Sequence, residues 1–427
     1  MELRIELIPA RMPMAVSFVE TAAKTAGLGS ADIDKLALSV EELFMALCSS
    51  LPDAEIVLRC RDRRHAVDLL LQIPQPPPDL RIFNITARPD HDTEEGLAEM
   101  GLYLASRVCD QFGVRQLSLG GWEIMVRKER TYPPPLSPAP SPVLQDTDLQ
   151  LTSTPSADAV KQLSLLIAAC YAPCQFPEEF TPSGRLLDKL ASGDYGVVAA
   201  LDTEGQLGGG LIWRTGNGRI VECFGPYLNL TEGQEQLAAQ LCESTVTHFG
   251  RSEQLGLVLY APQQPPPTAG FEAAGSLATP DGTIWAGYCM LSEEFGSRAS
   301  VPTGLLPFYT AWCSAMALTR TVSSYRDEGE TGDGLTLFAT RLDRTNGMAR
   351  LTPLLVGRDA GTVLAEHLQL FEQEGFRVVY CSIDTGRPFD ALLTPYLLQS
   401  GFTPCMLVPW GGSGDLIQLH RTCRSNG

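Results

Sequence analysis

The sequence is poor in basic residues, and it has no long apolar run. Of its 427 residues, 32 are Lys or Arg and 50 are Asp or Glu, which gives a net charge of −18. A chain of this charge repels a phosphate backbone, so we expect no nucleic-acid partner. Apolar runs such as "FYTAWCSAMAL" are too short to cross a bilayer, and we expect no membrane segment.

Signals for export, metal binding and several common reactions are also missing. The first residues, "MELRIELIPARM", lack the regions of a signal peptide, which predicts a cytoplasmic protein. The five histidines are dispersed, and Cys170 and Cys174 have no second pair nearby, so no metal site is predicted. Without a G-x-S-x-G elbow or a Walker-type loop, hydrolase and kinase hypotheses have no support.

The length of the chain predicts several domains, since one hydrophobic core rarely serves more than about 300 residues. Proline-rich "TYPPPLSPAPSP" predicts a stiff spacer, and aperiodic "SEEFGSRASVPTG" predicts a second break. We therefore expect an N-terminal domain at 1–130, a linker at 131–148, a central domain at 149–295 and a C-terminal domain at 300–427.

Apolar periodicity predicts an α+β fold. In the N-terminal domain, a strand and two helices precede the strand-like segments "EIVLRCRD", "AVDLLLQI" and "DLRIFNI", then a helix and a hairpin. This order predicts an α/β sandwich with its helices on one face of a sheet. The central and C-terminal domains share an order of strands and helices and a short echo, "AGFEAAG" and "SGFTPCM", which predicts a tandem or duplicated fold.

The helix "LSVEELFMA" and the later "GLYLASRVCDQFG" carry a resemblance to a known family. The N-terminal domain resembles the anti-sigma-factor, serine-kinase-like branch of the GHKL (Bergerat-fold) ATPases. In that family a base Glu is followed four residues later by an Asn that holds Mg²⁺, and these positions are Glu42 and Ala46 here. An alanine methyl cannot replace an oxygen ligand. The alternative is that Glu41 and Glu42 are only the solvated face of an amphipathic helix.

Two other parts of the GHKL pattern are also changed. The family's Asp-x-Gly-x-Pro turn corresponds to "PQPPP", with Pro74 and Pro76 at the Asp and Gly positions. The family's Gly-x-Gly contacts the phosphates, and of its two glycines only Gly101 remains here. Glu99 replaces the other glycine, and its negative charge repels a phosphate. The resemblance therefore implies a retained scaffold, in which Glu42 and Gly101 are remnants of a nucleotide site, and we expect neither ATP nor Mg²⁺.

The central and C-terminal domains resemble GNAT-type N-acetyltransferases. In that family a Gln/Arg-x-x-Gly-x-Gly/Ala loop after the fourth strand holds the acyl-CoA pyrophosphate at a helix N-terminus. The central loop "YLNLTEGQEQLAAQ" keeps one glycine, Gly233, which is a candidate to bind acyl-CoA, but Glu232 and Glu235 beside it make a poor site for an anion. Glu222 on the preceding strand is the candidate base that acts through water, and a solvent-facing Glu is the alternative.

The C-terminal domain keeps more of the GNAT loop. In "LLVGRDAGTVLAEH", Arg358 stands three residues before Gly361 and is followed by Thr362 at the start of a helix. We interpret Arg358, Gly361 and Thr362 as candidates to bind acyl-CoA, whereas Asp359 would also suit a plain helix N-terminus. Tyr396 in "LTPYLLQSGF" is the candidate for the tyrosine that protonates the leaving thiolate, and a core residue is the alternative.

These resemblances predict a bacterial regulatory protein. Its N-terminal domain would bind a protein partner of the kind its relatives hold, a sigma factor or an antagonist of one. Two alternatives remain open. One is an active N-acetyltransferase that uses acetyl-CoA, and the other is a sensor that binds acyl-CoA without turnover.

Overall fold

The structure is a computed structural model that describes residues 1–75, 80–88, 94–117, 120–133, 148–215, 219–292, 297–325 and 334–423. Within these residues the chain is a mixed α and β protein, as its periodicity predicts. The chain divides into two compact units. The first unit is 1–132, 333–340 and 352–367, and the second is 133–332, 341–351 and 368–427.

Five antiparallel strands form the sheet of the first unit. They are β1 (Glu2–Glu6), β2 (Glu55–Asp62), β3 (Ala66–Ile73), β4 (Gln111–Gln116) and β5 (Trp122–Glu129). Their order in the sheet is β1-β2-β3-β5-β4. Ile56, Leu58 and Cys60 alternate along β2 and are buried in one core, which is the period of two that predicts a strand.

Three helices share that core with the sheet: α1 (Met12–Thr25), α2 (Ser30–Ser50) and α3 (Glu94–Val108). Helix α2 buries Leu36, Val40, Leu43 and Leu47, which lie three or four residues apart and so on one side of the helix. The predicted order of helices, strands, helix and strands is therefore present in the first unit.

One predicted strand, "DLRIFNI", is wrong. Residues Leu80–Phe83 form a 3₁₀ helix instead. The consecutive residues Ile82 and Phe83 are both buried, which a half-exposed strand does not allow. Asn84 then fixes the segment, because its side-chain amide donates to the Thr336 carbonyl at 2.9 Å and its Oδ1 accepts from the Phe338 amide at 3.0 Å. Contacts distant in sequence thus decide the local conformation.

The remaining elements follow the Pro-rich segment, whose residues 134–147 lie outside the described part of the chain. The strands are β6 (Gln150–Thr152), β7 (Tyr195–Leu201), β8 (Leu207–Thr215), β9 (Ile220–Leu228), β10 (Gly256–Ala261), β11 (Glu272–Thr279), β12 (Gly282–Met290), β13 (Arg298–Pro302), β14 (Thr321–Tyr325), β15 (Leu337–Asp343), β16 (Met348–Leu355), β17 (Val378–Asp384), β18 (Thr403–Val408) and β19 (Leu416–Thr422). The helices are α4 (Ala157–Cys170), α5 (Ser183–Ala191), α6 (Gln234–Phe249), α7 (Leu306–Ala315), α8 (Ala360–Gln373) and α9 (Thr394–Gln399).

The sheet of the second unit contains one strand order twice. From Met348–Leu351 of β16, the order is β16-β17-β19-β18-β11-β12-β10-β9-β8-β7-β6. Read outward from the β11–β18 junction, each half has a hairpin and then two parallel strands, β10 with β9 in one half and β17 with β16 in the other. Helix α6 connects β9 to β10, and helix α8 connects β16 to β17. Two parallel strands that follow each other in the chain need such a long crossover connection. We call these pairs the first parallel pair (β9 and β10) and the second parallel pair (β16 and β17).

Strand β9 is irregular where it leaves its partner. Its parallel register with β10 extends from Ile220 opposite Gly256 to Phe224 opposite Tyr260. Beyond Phe224 the register with β8 shifts, which is a β-bulge that contains Gly225 and Pro226. Glu222 and Phe224 therefore lie on one face of β9 just before the bulge.

Candidate functional site

The second unit contains a cavity of about 260 Å³. Both parallel pairs contribute to its wall, together with the 3₁₀ turns Pro173–Gln175 and Glu178–Phe180 and the β11–β12 hairpin. The central and C-terminal segments of the chain thus share this cavity. Its charged and aromatic lining residues are Phe176, Glu178, Glu179, Arg214, Glu222, Phe224, Tyr260, Arg341, Asp343, Arg350 and Tyr380.

Glu222 is held from one side and open on the other. Its cross-strand neighbour on β8 is Arg214, whose Nε lies 2.5 Å from Glu222 Oε2. The Arg214 guanidinium also lies over the Phe224 ring, 5.3 Å from its centroid, which restricts its position. Glu222 Oε1 makes no hydrogen bond to any residue in the described part of the chain. Arg214 therefore orients this carboxylate and leaves one oxygen available to a ligand.

A second carboxylate, Glu179, lines the cavity but is buried, and its partners are side chains of the protein. It is 3% exposed, accepts from the Tyr195 hydroxyl at 2.8 Å and from Arg341 Nη2 at 3.1 Å, and lies 3.5 Å from Arg214 Nη1. Burial alone would raise its pKa, but the charges of Arg341 and Arg214 lower the pKa to about 2. Glu179 therefore stays ionised and holds the two arginines in place.

Arg350 occupies the place in the second parallel pair that Glu222 occupies in the first. Each is the third residue of its parallel ladder, since Met348 pairs with Val378 as Ile220 pairs with Gly256. Both line the cavity. The two halves therefore present opposite charges to the same space.

The N-terminus of α6 offers open amides to an anion. Gly233 precedes the helix with a φ of 73°, and no side chain caps the helix. The amides of the first turn have no partner within a helix and can bind a phosphate. Exposed Glu232 and Glu235 lie beside them, and these carboxylates oppose an anion but can turn toward solvent. The open amides at this helix end thus fit an acyl-CoA pyrophosphate, and the two carboxylates would weaken its binding.

The loop before α8 is more closed. The Thr336 amide donates to Asp359 Oδ1 at 2.8 Å, and the Gly357 amide donates to the Thr336 hydroxyl at 2.9 Å. A Cβ at Gly357 would overlap the Gly334 carbonyl, so backbone already fills the approach to this residue. Arg358 and Thr362 are exposed and Gly361 is half-buried, and none of the three lines the cavity of the second unit.

Tyr396 lies on α9, is 39% exposed and does not line the cavity. The structure thus places it neither in the core nor beside Glu222. The cavity contains two other tyrosines, Tyr260 on β10 and Tyr380 on β17. Burial raises the pKa of both hydroxyls, so they stay protonated near neutral pH. Both residues stand in apolar runs of the sequence, where a core position is the ordinary interpretation.

In the first unit, Glu42 and Gly101, the two residues predicted to belong to a nucleotide site, lie next to each other. Helices α2 and α3 approach so closely that a Cβ at Gly101 would overlap Oε2 of Glu42. Burial, and secondarily the charge of Glu41, raises the pKa of Glu42. Ala46 packs against the core, and Pro74 is exposed. Pro76 and the side chain of Glu99 lie outside the described residues.

Among the described residues, each helix is either too short or too polar to span a bilayer. Over the same residues, no group of three or more His, Cys, Asp and Glu side chains could hold a metal ion.

No family model matches the chain, and no curated protein matches it. Solved structures of acetyltransferases match about a third of it. An aminoglycoside 6'-acetyltransferase type Ii shares 14% identity over 34% of this chain and 99% of its own, with a TM-score of 0.27. A putative acetyltransferase from Acinetobacter baylyi shares 16% identity over 34% of this chain and 94% of its own, with a TM-score of 0.28. The third is a GNAT superfamily phosphinothricin acetyltransferase from Sinorhizobium meliloti in complex with AcCoA. It shares 15% identity over 34% of this chain and 90% of its own, with a TM-score of 0.28.

Proposed function

We propose that the second unit is an acyl-CoA-dependent N-acyltransferase whose acceptor is a primary amine bound in the cavity. The observation that carries the proposal is the position of Glu222. This carboxylate lies at the cavity wall beside the β9 bulge, and one of its oxygens has no partner among the described residues. Such a group can take a proton from an ammonium group, directly or through a water molecule, and leave a nucleophilic amine.

The surroundings of Glu222 support this role. Arg214 fixes Oε2, so Oε1 is presented to the cavity in one orientation. Phe224 and Tyr260 stack at 5.5 Å between ring centroids and form an apolar wall next to the carboxylate. The Tyr260 hydroxyl has a raised pKa and is a proton donor rather than a base. A positioned base and a protonated hydroxyl are the groups that amine acylation requires.

The resemblance to GNAT enzymes implies acetyl-CoA as the donor, and its thioester would supply the acyl group. The open amides beside Gly233 at the N-terminus of α6 would hold its pyrophosphate. The loop of Arg358, Gly361 and Thr362 is the other candidate. Arg358→Glu separates the two, because it abolishes acetyl-CoA binding only if that loop holds the cofactor.

Release of free thiol from acetyl-CoA in the presence of a panel of primary amines tests the reaction. Glu222→Gln keeps the shape of the side chain and removes the base, so we expect kcat/KM to fall by about 100-fold or more. Glu243→Gln on the exposed side of α6 is the matched control and should leave the rate unchanged. Binding of acetyl-CoA without thiol release from any amine would replace the enzyme by an acyl-CoA sensor.

We also propose that the first unit binds a protein and not a nucleotide. The Glu42 carboxylate occupies the space beside Gly101, where it would repel a phosphate, and Ala46 supplies no metal ligand. A regulatory role with a sigma factor or an antagonist as partner follows from the GHKL resemblance alone. Isothermal titration with Mg-ATP should give no heat. Saturable binding of Mg-ATP would contradict the proposal.

A further inference from the structure

Of the three arginines that line the cavity, one forms no ion pair with a carboxylate of the described residues. Arg214 pairs with Glu222 and Glu179, and Arg341 pairs with Glu179 and with Glu178 at 3.3 Å. By contrast, no carboxylate of the described residues forms an ion pair with Arg350. Arg350 is exposed at the cavity wall, so its charge is open to solvent and to any ligand in the cavity.

Arg350 is held in place by neutral groups. Its Nη1 donates to Oε1 of Gln418 at 3.1 Å, and its guanidinium lies over the Tyr380 ring, 5.3 Å from the centroid. Gln418 is 4% exposed and is itself fixed, because its Nε2 donates to the Cys381 carbonyl at 3.0 Å and its Oε1 accepts from the Ser382 hydroxyl at 3.0 Å. These contacts orient the guanidinium and do not neutralise it.

The hydroxyl of Tyr380 donates to the Ala278 carbonyl on β11. This hydrogen bond fixes the ring that carries Arg350 and joins the second parallel pair to the β11–β12 hairpin on the cavity wall. The Arg350 guanidinium is thus positioned by two fixed groups, the Gln418 side chain and the Tyr380 ring. A cation that is oriented in advance pays little entropy when it binds an anion in two-point geometry.

We infer that Arg350 is the carboxylate-binding residue of the acceptor site, and that the acceptor is a single free amino acid with an apolar side chain. This inference rests on the proposed function, in which Glu222 receives the amine. Glu222 and Arg350 line the same cavity from equivalent ladder positions and carry opposite charges, which complement an ammonium and a carboxylate on one molecule. Phe176, Leu277 and Met348 supply apolar wall for the side chain.

The size of the cavity agrees with this class of ligand. Its volume of about 260 Å³ lies just below the range of ligand cavities, which are commonly about 300 to 1,000 Å³, so it suits a small ligand. A bare polyamine would leave Arg350 without a partner and place a second positive charge near it. A nucleotide would bring anionic groups toward Glu222 and Glu178. A single amino acid satisfies both charged walls.

The experiment compares three probes by isothermal titration: L-phenylalanine, its amide, which lacks the carboxylate, and 3-phenylpropionate, which lacks the amine. The pH is chosen so that both amines are protonated. We expect L-phenylalanine to bind about 10- to 100-fold more tightly than its amide, the usual range for one charge-assisted pair. In Arg350→Gln, the two should bind equally, at the affinity of the amide.

Two variants keep the result specific to Arg350. Arg344→Gln, in the turn that precedes β16 and paired with Glu374 at 2.7 Å, should leave the preference for L-phenylalanine intact. Glu222→Gln should reduce the preference for L-phenylalanine over 3-phenylpropionate instead. Three results would overturn the inference. The wild-type protein could bind L-phenylalanine and its amide equally, Arg350→Gln could weaken the binding of both by the same factor, or none of the three probes could bind.

Failure of the inference and failure of the proposed function give different results. An Arg350-dependent preference for the carboxylate without thiol release from acetyl-CoA supports the amino-acid site and removes the transferase. Thiol release with amines that lack a carboxylate, unchanged in Arg350→Gln, supports the transferase and overturns the role of Arg350.

Discussion

Glu42 in the first unit and Glu222 in the second are both glutamates that the sequence singles out, and their surroundings differ. The Glu42 carboxylate fills the space beside Gly101, where helices α2 and α3 meet. The Glu222 carboxylate stands at a cavity with one oxygen unused among the described residues. A motif glutamate can serve a ligand only where the backbone leaves space next to it, and that space is a property of packing rather than of the motif.

Glu42 and Glu179 also differ in the effect of their surroundings on the pKa of the carboxylate. Burial and a neighbouring carboxylate raise the pKa of Glu42, whereas Arg341 and Arg214 hold the pKa of buried Glu179 near 2. The fold therefore disfavours the charge of Glu42 and favours that of Glu179. We expect loss of the Glu179 carboxylate to destabilise its unit more than loss of the Glu42 carboxylate does.

The largest expected effect is that of Glu179→Ala, which leaves Arg214 and Arg341 without their shared partner. Removal of one member of a buried ion pair costs about 3 to 5 kcal/mol, and we expect about 3 because both guanidiniums reach solvent. Glu178→Ala removes a 55% exposed partner of Arg341 and should cost less than about 1 kcal/mol. Hydrogen exchange of β7 to β9 measures both, and equal costs would contradict the contrast.

The same residue predicts an acid response of the second unit. The folded pKa of Glu179, about 2, is below its ordinary value of 4.5, so its contribution is complete above pH 4.5. That contribution is lost as the pH falls from 4.5 toward 2. In Glu179→Ala, hydrogen exchange in β7 to β9 should therefore change less over this range than in the wild-type protein.

A smaller effect should appear in the first unit when Gly101 and Glu42 are changed together. Ala is favoured over Gly in a helix by about 1 kcal/mol, but a Cβ at Gly101 displaces the Glu42 carboxylate. We expect Gly101→Ala to be close to neutral alone and to stabilise by about 1 kcal/mol in a Glu42→Ala background. Urea unfolding of the four proteins gives the coupling. The same effect in both backgrounds would show that the two residues do not compete for space.

The sequence predicts elements with strong periodicity and misses those without it. Strand β9 and helix α6 follow from their apolar patterns, whereas the β11–β12 hairpin is rich in Gly and Ala and has no clear alternation. The 3₁₀ helix at Leu80 was hidden for another reason, since residues near Thr336, some 250 positions later, hold Asn84 in place.

The candidate site divides in the same way. Glu222 is found from the sequence because a resemblance names its strand, and its proposed role stays a prediction. Arg350, Glu179 and Tyr380 are not found, because each looks like an ordinary strand or loop residue. Only the order of strands in the sheet brings residues more than 100 positions apart to one cavity, and that order is not encoded in any local pattern.

The smallest effect tests the sign of the electrostatics at Glu42. Since its folded pKa is raised above 4.5, the folded first unit prefers the protonated form, and the ionised form costs stability at neutral pH. Glu42→Gln should then stabilise the first unit at pH 7 by roughly 0.5 kcal/mol, a value kept small because the side chain is half-exposed. The gain should vanish below about pH 4.5, where Glu42 is protonated in both states.

Glu41→Gln is the matched control for this change, because it removes only the repulsion on Glu42 and leaves the burial of that carboxylate in place. It should give the smaller part of the gain at pH 7. Urea unfolding at pH 7 and pH 4 measures both variants. A gain from Glu42→Gln that is the same at both pH values would mean that the amide packs better beside Gly101 than the acid does, and that shape, not charge, distinguishes the two units at this position.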